Sequence, residues 1–428
     1  TFTVSAWVKR GVLGAEQHIC SSYDGSSSDN NSMWEFRFLA ANTISISRYT
    51  DNILITNRTF EDTSKFYHLL MAVDTTQGTA SNRVKLYVDG DEITSFGTDV
   101  RSSVAQDFDT AFNNTADACV VGNRKGDSKY FDGYLAEVNL VDGLALTPDT
   151  FGVTDTSTGR WIPKTLTGIT YGTNGFRLQF ASSSALGDDT SGNNNDFSVS
   201  NLVAGDQTTD SPTQNHATLN ANPTASGGTL SEGNLKLVTN NTGYNVKYAT
   251  LKPTSGKYYA EFTIGSGGAA MIGVQDANVL NTATSSYFPY GYGYGWYEGN
   301  GNVYDENVAV VLSGTSYTSG DVIAMALDLD NQTLKWYKNN SLAYTVGLNG
   351  TDIVMAVGDY ANADDATITC NFGQKSFTYT PPTGFVALQQ DNLPETAKGV
   401  SGLVWIKSRD TASAHMLLSL IHISEPTR

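Results

Sequence analysis

Few residues of this chain stand at spacings that could carry covalent chemistry, whereas several suit recognition. The densest feature is Tyr287-Phe288-Pro289-Tyr290-Gly291-Tyr292-Gly293-Tyr294-Gly295-Trp296-Tyr297. Exposed aromatics give contact area at low side-chain entropy cost, and their polar tips can stay wet. Tyr290, Tyr292, Tyr294, Trp296 and Tyr297 are therefore the candidate ligand-binding residues, with a core role for alternate members as the competing reading. Because Gly alternates with Tyr from 291 to 295, Tyr292 and Tyr294 share one strand face and leave a bare glycine face open to close packing. Two segments offer hard oxygens: Asp24, Asp29 and Asn30 in one, Asp188, Asp189, Asn193 and Asp196 in the other. Calcium needs roughly six to eight oxygens in one place, and the same composition also makes turns. Asp24, Asp29, Asp188 and Asp189 are the candidate calcium ligands, and no other cofactor is required.

No set of residues stands at a spacing that supports covalent catalysis. Glu35 sits between Trp34 and Phe36 in a strand-like run, with Met33 and Arg37 rather than carboxylates at the positions that share its face. Glycoside hydrolysis needs two facing carboxylates, so no catalytic residue is assigned. The five histidines, His18, His68, His216, His415 and His422, form no HExxH, and neither GxSxG nor a Walker-type loop occurs. His68, entering an apolar strand beside Tyr67, reads as a packed core residue. Cys20, Cys119 and Cys370 lie too far apart in sequence for a zinc motif or an even-numbered disulfide framework. They read as small buried residues, with a Cys20–Cys119 bridge left open should both sit in one domain.

The elements that must position these groups are strands. The 428 residues are 39% hydrophobic but only 16% charged, with 41 Gly, 22 Tyr, 18 Phe and 6 Trp, a balance that suits strands and tight turns rather than helical bundles. Net charge is −17. A duplex-binding protein needs a basic face, so nucleic acid is excluded as a partner, and no apolar run is long enough to insert in a membrane as a helix. Short alternating runs fill residues 1–155, among them Met33–Leu39, Thr43–Ser47 and Tyr67–Asp74, and Asp89-Gly90 after Arg83–Val88 signals a hairpin. Residues 202–230 carry little apolar content and read as a linker or surface crossing. Strands resume over 231–388. An echo links the halves: Ala72-Val73-Asp74 then Asn82–Gly90, and Ala326-Leu327-Asp328 then Asn331–Asn340, each a strand ending in Asp, a turn, and a strand carrying Lys and Tyr.

Phe2–Lys9, Tyr67-His68 leading to Asp74, Leu86–Gly90 and Phe131–Val138 together resemble the laminin-G-like, concanavalin A-like jelly roll. The resemblance implies that Trp7 fills the core between sheets and that Gly90 and Gly133 serve turns or close approach. Its clan includes glycoside hydrolases with a Glu-x-Asp-x-x-Glu strand, absent here. Gly256–Phe262, Ile272-Gly273-Val274, Tyr292–Tyr297, Gly320–Ile323, Ala326–Asn331, Leu334–Asn339, Asn371-Phe372-Gly373 and Pro381–Phe385 resemble a SPRY domain, a bent sandwich that binds partners through loops. The expected organisation is all-β: a sandwich over 1–155, lacking its first strands, an extension over 156–201 that packs on it, a linker over 202–230, a SPRY sandwich over 231–388, and a further module opening over 389–417. Residues 418–428 resemble a translated sequencing adapter and are set aside. No leader is readable at Thr1, and the natural frame is expected to continue past Leu417.

The module order resembles marine bacteriophage tail-fibre and virion proteins. It implies a non-catalytic binding protein, on a virion or extracellular, that presents loops to a host-surface ligand, a glycan or protein. The full-length protein would be a homo-oligomer, gaining avidity from many weak contacts. Two alternatives are an assembly protein whose SPRY loops bind another virion protein, and a polysaccharide-degrading enzyme on the concanavalin-like fold.

Overall fold

The computed structural model describes residues 1–23, 33–49, 51–113, 118–124, 128–221, 227–240, 245–279, 289, 293–305, 309–350, 352–359, 365–394, 403–406 and 416–419. The fold is all-β, built from antiparallel sheets that stack in pairs. In the first pair, one six-stranded sheet runs Phe176–Leu178, Gly133–Asp142, Phe2–Arg10, Tyr67–Val73, Val84–Val88, Asp91–Glu92. The other runs Ala118–Val121, Gln17–Tyr23, Met33–Phe38, Thr43–Arg48, Asp51–Thr59, Phe96–Asp99. Period-2 alternation builds the core between them: Phe2, Val4, Ala6 and Val8 from one sheet meet Trp34, Phe36, Phe38, Ile44 and Ile46 from the other.

All nine residues of Phe2–Arg10 are buried, so this strand is covered on both faces. The outer cover comes from residues 144–171, which lay Leu146, Phe151, Leu166, Ile169 and Tyr171 over Leu70, Ala72 and Val141. Trp7 belongs to that outer face and not, as the resemblance implied, to the inter-sheet core. Alternation from Phe2 puts Trp7 opposite the inward set, and it stacks on His68 at 4.7 Å with Trp161 beyond. Strand Phe176–Leu178 then joins the first sheet beside Gly133–Asp142. Gly133 has φ 147°, and a Cβ there would lie 2.1 Å from the Lys9 carbonyl oxygen, so only glycine permits this approach.

The second pair follows. Its larger sheet orders Thr229–Ser231, Lys236–Val238, Ala366–Asn371, Lys257–Gly267, Val322–Asp328, Thr333–Lys338 and Ser341–Gly347, with Val386–Ala387 added parallel to Lys257–Gly267. The smaller sheet orders Val246–Tyr248, Ile353–Asp359, Ala270–Asp276, Tyr294–Tyr297, Val303–Asp305 and Val310–Leu312. Trp336 of the larger sheet donates its indole N–H to the Ile272 carbonyl of the smaller at 3.1 Å. The echoed hairpins share their turn chemistry. Asp74 accepts from the Thr76 backbone and hydroxyl, and Asp328 from the Asn331 backbone and amide. The next turns place Asp89-Gly90 and Asn339-Asn340 at positive φ on both residues, the geometry of tight hairpins.

Within the segment read as a linker, Asp210, Asn215, His216, Ala217, Thr218 and Leu219 are buried. The middle of that segment is a packed joint. The fully buried Lys9 ammonium donates to Asp210 Oδ2 at 2.9 Å, Asn215 Oδ1 at 2.8 Å and the His216 carbonyl at 2.7 Å, and lies over the Tyr134 ring. Asn234 Nδ2 reaches the Gly11 carbonyl at 2.9 Å, and the Tyr134 hydroxyl reaches that of Gly233 at 2.9 Å. Polar composition misled the sequence reading because these groups satisfy one another rather than water. A hairpin of Leu403–Ile406 with Met416–Ser419 closes the described chain and includes the first two residues of the adapter-like segment.

Candidate functional site

Among the described residues, the outward face of the sheet carrying Met33–Phe38 holds the largest network of charged side chains. On this strand Trp34, Phe36 and Phe38 point into the core, so Glu35 and Arg37 must point outward. Register lines up Ser21, Glu35, Ser47 and Asn52 across four adjacent strands. Glu35, only 1% exposed, accepts from Ser47 Oγ at 2.7 Å and Arg124 Nη1 at 3.0 Å, and Arg37 Nη1 lies 2.9 Å away. Arg37 also reaches Glu16 at 2.7 Å and Asn52 at 3.1 Å, and Lys129 pairs with Glu16. His18 Nε2 stands 3.4 Å from Glu16 and 3.7 Å from Glu35.

The electrostatics follow from burial and pairing. Burial pushes the His18 imidazole down to about 4, against the attraction of Glu35, so it is neutral near pH 7. Burial alone would raise Glu16, but its Lys129 hydrogen bond and the charges of Arg37 and Lys129 hold it below the usual carboxylate range. Among the described residues, two carboxylates thus face three cations, Arg37, Arg124 and Lys129, and these five groups together carry a net positive charge. The three cations and Glu16 reach solvent: Arg37 is 14% exposed, Glu16 23%, Arg124 28% and Lys129 42%. Glu35 and His18 are buried beneath them. Such an array can present guanidinium and amide forks to hydroxyl or carboxylate groups.

A second arrangement resembles nucleophile activation. Ser5 Oγ lies 2.9 Å from His68 Nε2. The Trp161 indole, which can only donate, gives its N–H to His68 Nδ1 at 3.0 Å. Nδ1 is therefore the acceptor, the proton sits on Nε2, and Nε2 donates to Ser5 instead of accepting from it. Burial pushes His68 down to about 3. This pair holds the cover over the first sheet, in keeping with the packed role read for His68.

The sequence-derived candidates divide. Tyr290, Tyr292, Asp24 and Asp29 lie outside the described residues. Trp296 is fully buried, packs edge-on against Tyr317 and Tyr344, and donates its N–H to the Thr315 carbonyl at 2.9 Å. Tyr294 is 7% exposed in the same core and accepts from Asn349 at 3.0 Å. Neither presents a surface to a ligand: alternation turns both inward. Tyr297, on the other face, is half-buried against Tyr304. The glycine face is closely packed, since a Cβ on Gly295 would meet Met271 Sδ at 2.8 Å. Asp189 accepts from the backbone of Arg177, Ser191 and Asn195 and from the Ser191 hydroxyl, which occupies both oxygens within its own loop. Asp188 is exposed beside it. Among the described residues no group of three or more His, Cys, Asp or Glu could hold a metal ion.

Glu35 is visible in the sequence as a lone acid in an apolar strand, but the partners that surround it are not. The alternation Ser45-Ile46-Ser47 signalled a polar outer face, but nothing local signalled that Arg124 and Lys129, about ninety residues on, would fold over it. A cleft of about 250 Å³ lies between residues 75–76 and 107–110, and none of the Glu35 network lines it.

Comparison with known proteins agrees with the first sandwich. Residues 1–150 match the family model described as the Concanavalin A-like lectin/glucanases superfamily. The chain is similar to the ATP-dependent RNA helicase DDX1 of Xenopus laevis, 27% identical over 164 residues, 38% of this chain and 20% of that protein. It thus spans about a fifth of the length of the curated relative it matches. It is also similar to the SPRY domain of human HERC1, with 20% identity, 33% of this chain and 91% of that one covered, and a TM-score of 0.27. Another human SPRY domain gives 17% identity, 33% and 94% coverage, and a TM-score of 0.27. The first 150 residues match that family model, and the structure there is a sandwich of two six-stranded antiparallel sheets.

Proposed function

We propose that this chain is a non-catalytic binding protein, extracellular or on a virion, that recognises a host-surface glycan. The reading face is the outer surface of the sheet carrying Glu35. The observation that supports this is the cross-strand row of Ser21, Glu35, Ser47 and Asn52 beneath the partly exposed Arg37 and Arg124. Sugars present arrays of hydroxyls, and acidic sugars add carboxylates. Planar amide and guanidinium groups held in fixed orientation match both. Glu35 is the positioning residue: its carboxylate fixes the two arginines. Committed to two guanidiniums and a serine hydroxyl, it is not free to act as an acid, which supports binding without cleavage.

The test is retention of the full chain on an array of bacterial surface glycans, with and without calcium, with released sugar assayed on the same spots. Retention without release is expected. Arg124→Ala should weaken it about tenfold, the worth of one charge-assisted hydrogen bond. No retention by the full chain, or identical retention by Arg124→Ala and Glu35→Gln, would overturn the reading and move the weight to protein contacts. Released sugar would turn it into an enzyme.

A further inference from the structure

The two cysteines of the first sandwich meet. Among the described residues, strand Ala118–Val121 is an edge strand, paired only with Gln17–Tyr23. Its register sets Val121 opposite Cys20 and Cys119 opposite Ser22, so Cys119 is diagonal to Cys20 on the same face of the sheet. Both side chains pack toward the core, and their sulfurs lie 3.7 Å apart with both thiols free. A disulfide bond is about 2.05 Å, so the sulfurs need to close by about 1.6 Å, within reach of small side-chain rotations. Cys20 is fully buried, whereas Cys119 is partly exposed. Cys370 belongs to the other sandwich, opposite Phe262, and is buried there.

We propose that Cys20 and Cys119 form a disulfide under oxidising conditions, a redox staple that pins this edge strand to the sheet. The exchange with a small disulfide such as oxidised glutathione balances in two steps. The accessible Cys119 thiolate attacks one glutathione sulfur, breaking its S–S bond and releasing one glutathione thiolate, which is protonated. Cys20 then loses its proton and attacks Cys119 Sγ, expelling the second glutathione thiolate. The protein loses two electrons and two protons, and glutathione disulfide becomes two thiols. An unpaired edge is where a sheet opens first. The same strand runs on to Arg124, which reaches Glu35, so the staple also anchors the segment that delivers this arginine.

The experiment incubates the reduced full chain with oxidised glutathione, alkylates it under denaturing conditions without reduction, and maps peptides by mass spectrometry. The expected product has lost two hydrogens, links the Cys20 and Cys119 peptides, and carries an alkylated Cys370. Cys20→Ser should instead stop at a mixed glutathione disulfide on Cys119. The thermal midpoint of the oxidised chain should rise by at least about 5 °C, because the bond closes a long loop. Two free thiols after oxidation, a mixed disulfide that persists in the wild type, or a linked chain with no rise in midpoint would each overturn the proposal.

Discussion

The two sandwiches use their conspicuous residues in opposite ways. The first sandwich keeps a charged network on the outside of one sheet, built on a carboxylate from an otherwise apolar strand. The second turns Tyr294 and Trp296, from the described end of its aromatic run, into the core. Burying an indole gains apolar contact at no electrostatic cost once its N–H finds a carbonyl, as Trp296 does at Thr315. Burying Glu35 is tolerable only because Arg37, Arg124 and Ser47 surround it. Tyr294 and Trp296 of the aromatic run therefore serve packing, and a lone acid in an apolar strand marks the polar face.

The strongest way to break this comparison is Trp296→Ala. A core indole predicts a loss of about 3–5 kcal/mol in urea unfolding of the second sandwich. A loss under about 0.5 kcal/mol would return the aromatic run to the surface. The joint between the sandwiches offers a test of similar size. Asp210→Ala leaves the Lys9 ammonium buried without its carboxylate, at a cost of about 3–5 kcal/mol, whereas Lys9→Met combined with Asp210→Leu should recover most of it. Equal costs for the single and double variants would show that the pair is not what holds the joint.

Acid should separate the two halves. In the folded state burial lowers His18 to about 4 and His68 to about 3, both below an unfolded value near 6.5. The unfolded chain then binds protons that the native one does not, so stability is present above about pH 6.5 and falls as pH drops toward 4. His18 alone accounts for roughly 3 kcal/mol across that window. Both residues belong to the first sandwich, so tryptophan fluorescence and hydrogen exchange should show it loosening ahead of the second. His18→Gln should flatten the profile, and an unchanged profile would mean that His18 titrates normally. The smallest effect sharpens the polar face: Arg124→Ala, partly exposed, should change stability by only about 1 kcal/mol while glycan retention falls.

Local chemistry was legible wherever it was sufficient. Asp89-Gly90 and Asn339-Asn340 make tight turns because their types tolerate positive φ. Asp74 and Asp328 cap the echoed turns through side chains a few residues away. Alternation correctly grouped Trp34, Phe36 and Phe38 on one face and left Glu35 on the other. Where a face's neighbour comes from far along the chain, alternation is silent. It could not tell that residues 144–171 cover the outer face where Trp7 lies, or that the segment after 208 is a buried joint.

The amino-acid sequence by itself determined the β class, the hairpin turns, the pairing of faces along each strand and the absence of a metal or nucleophile motif, because all of these depend on residues within one or two turns of each other. Tertiary structure alone decided which face met water, which met a second sheet and which met the joint. Only the fold could bring Arg124 and Lys129 to Glu35 and Glu16, Asp210 to Lys9, and Cys119 to Cys20. Each pair is separated by roughly ninety residues or more: strand register sets Cys119 against Cys20, and the paths of the segments outside the strands set the others, neither of which a local pattern encodes.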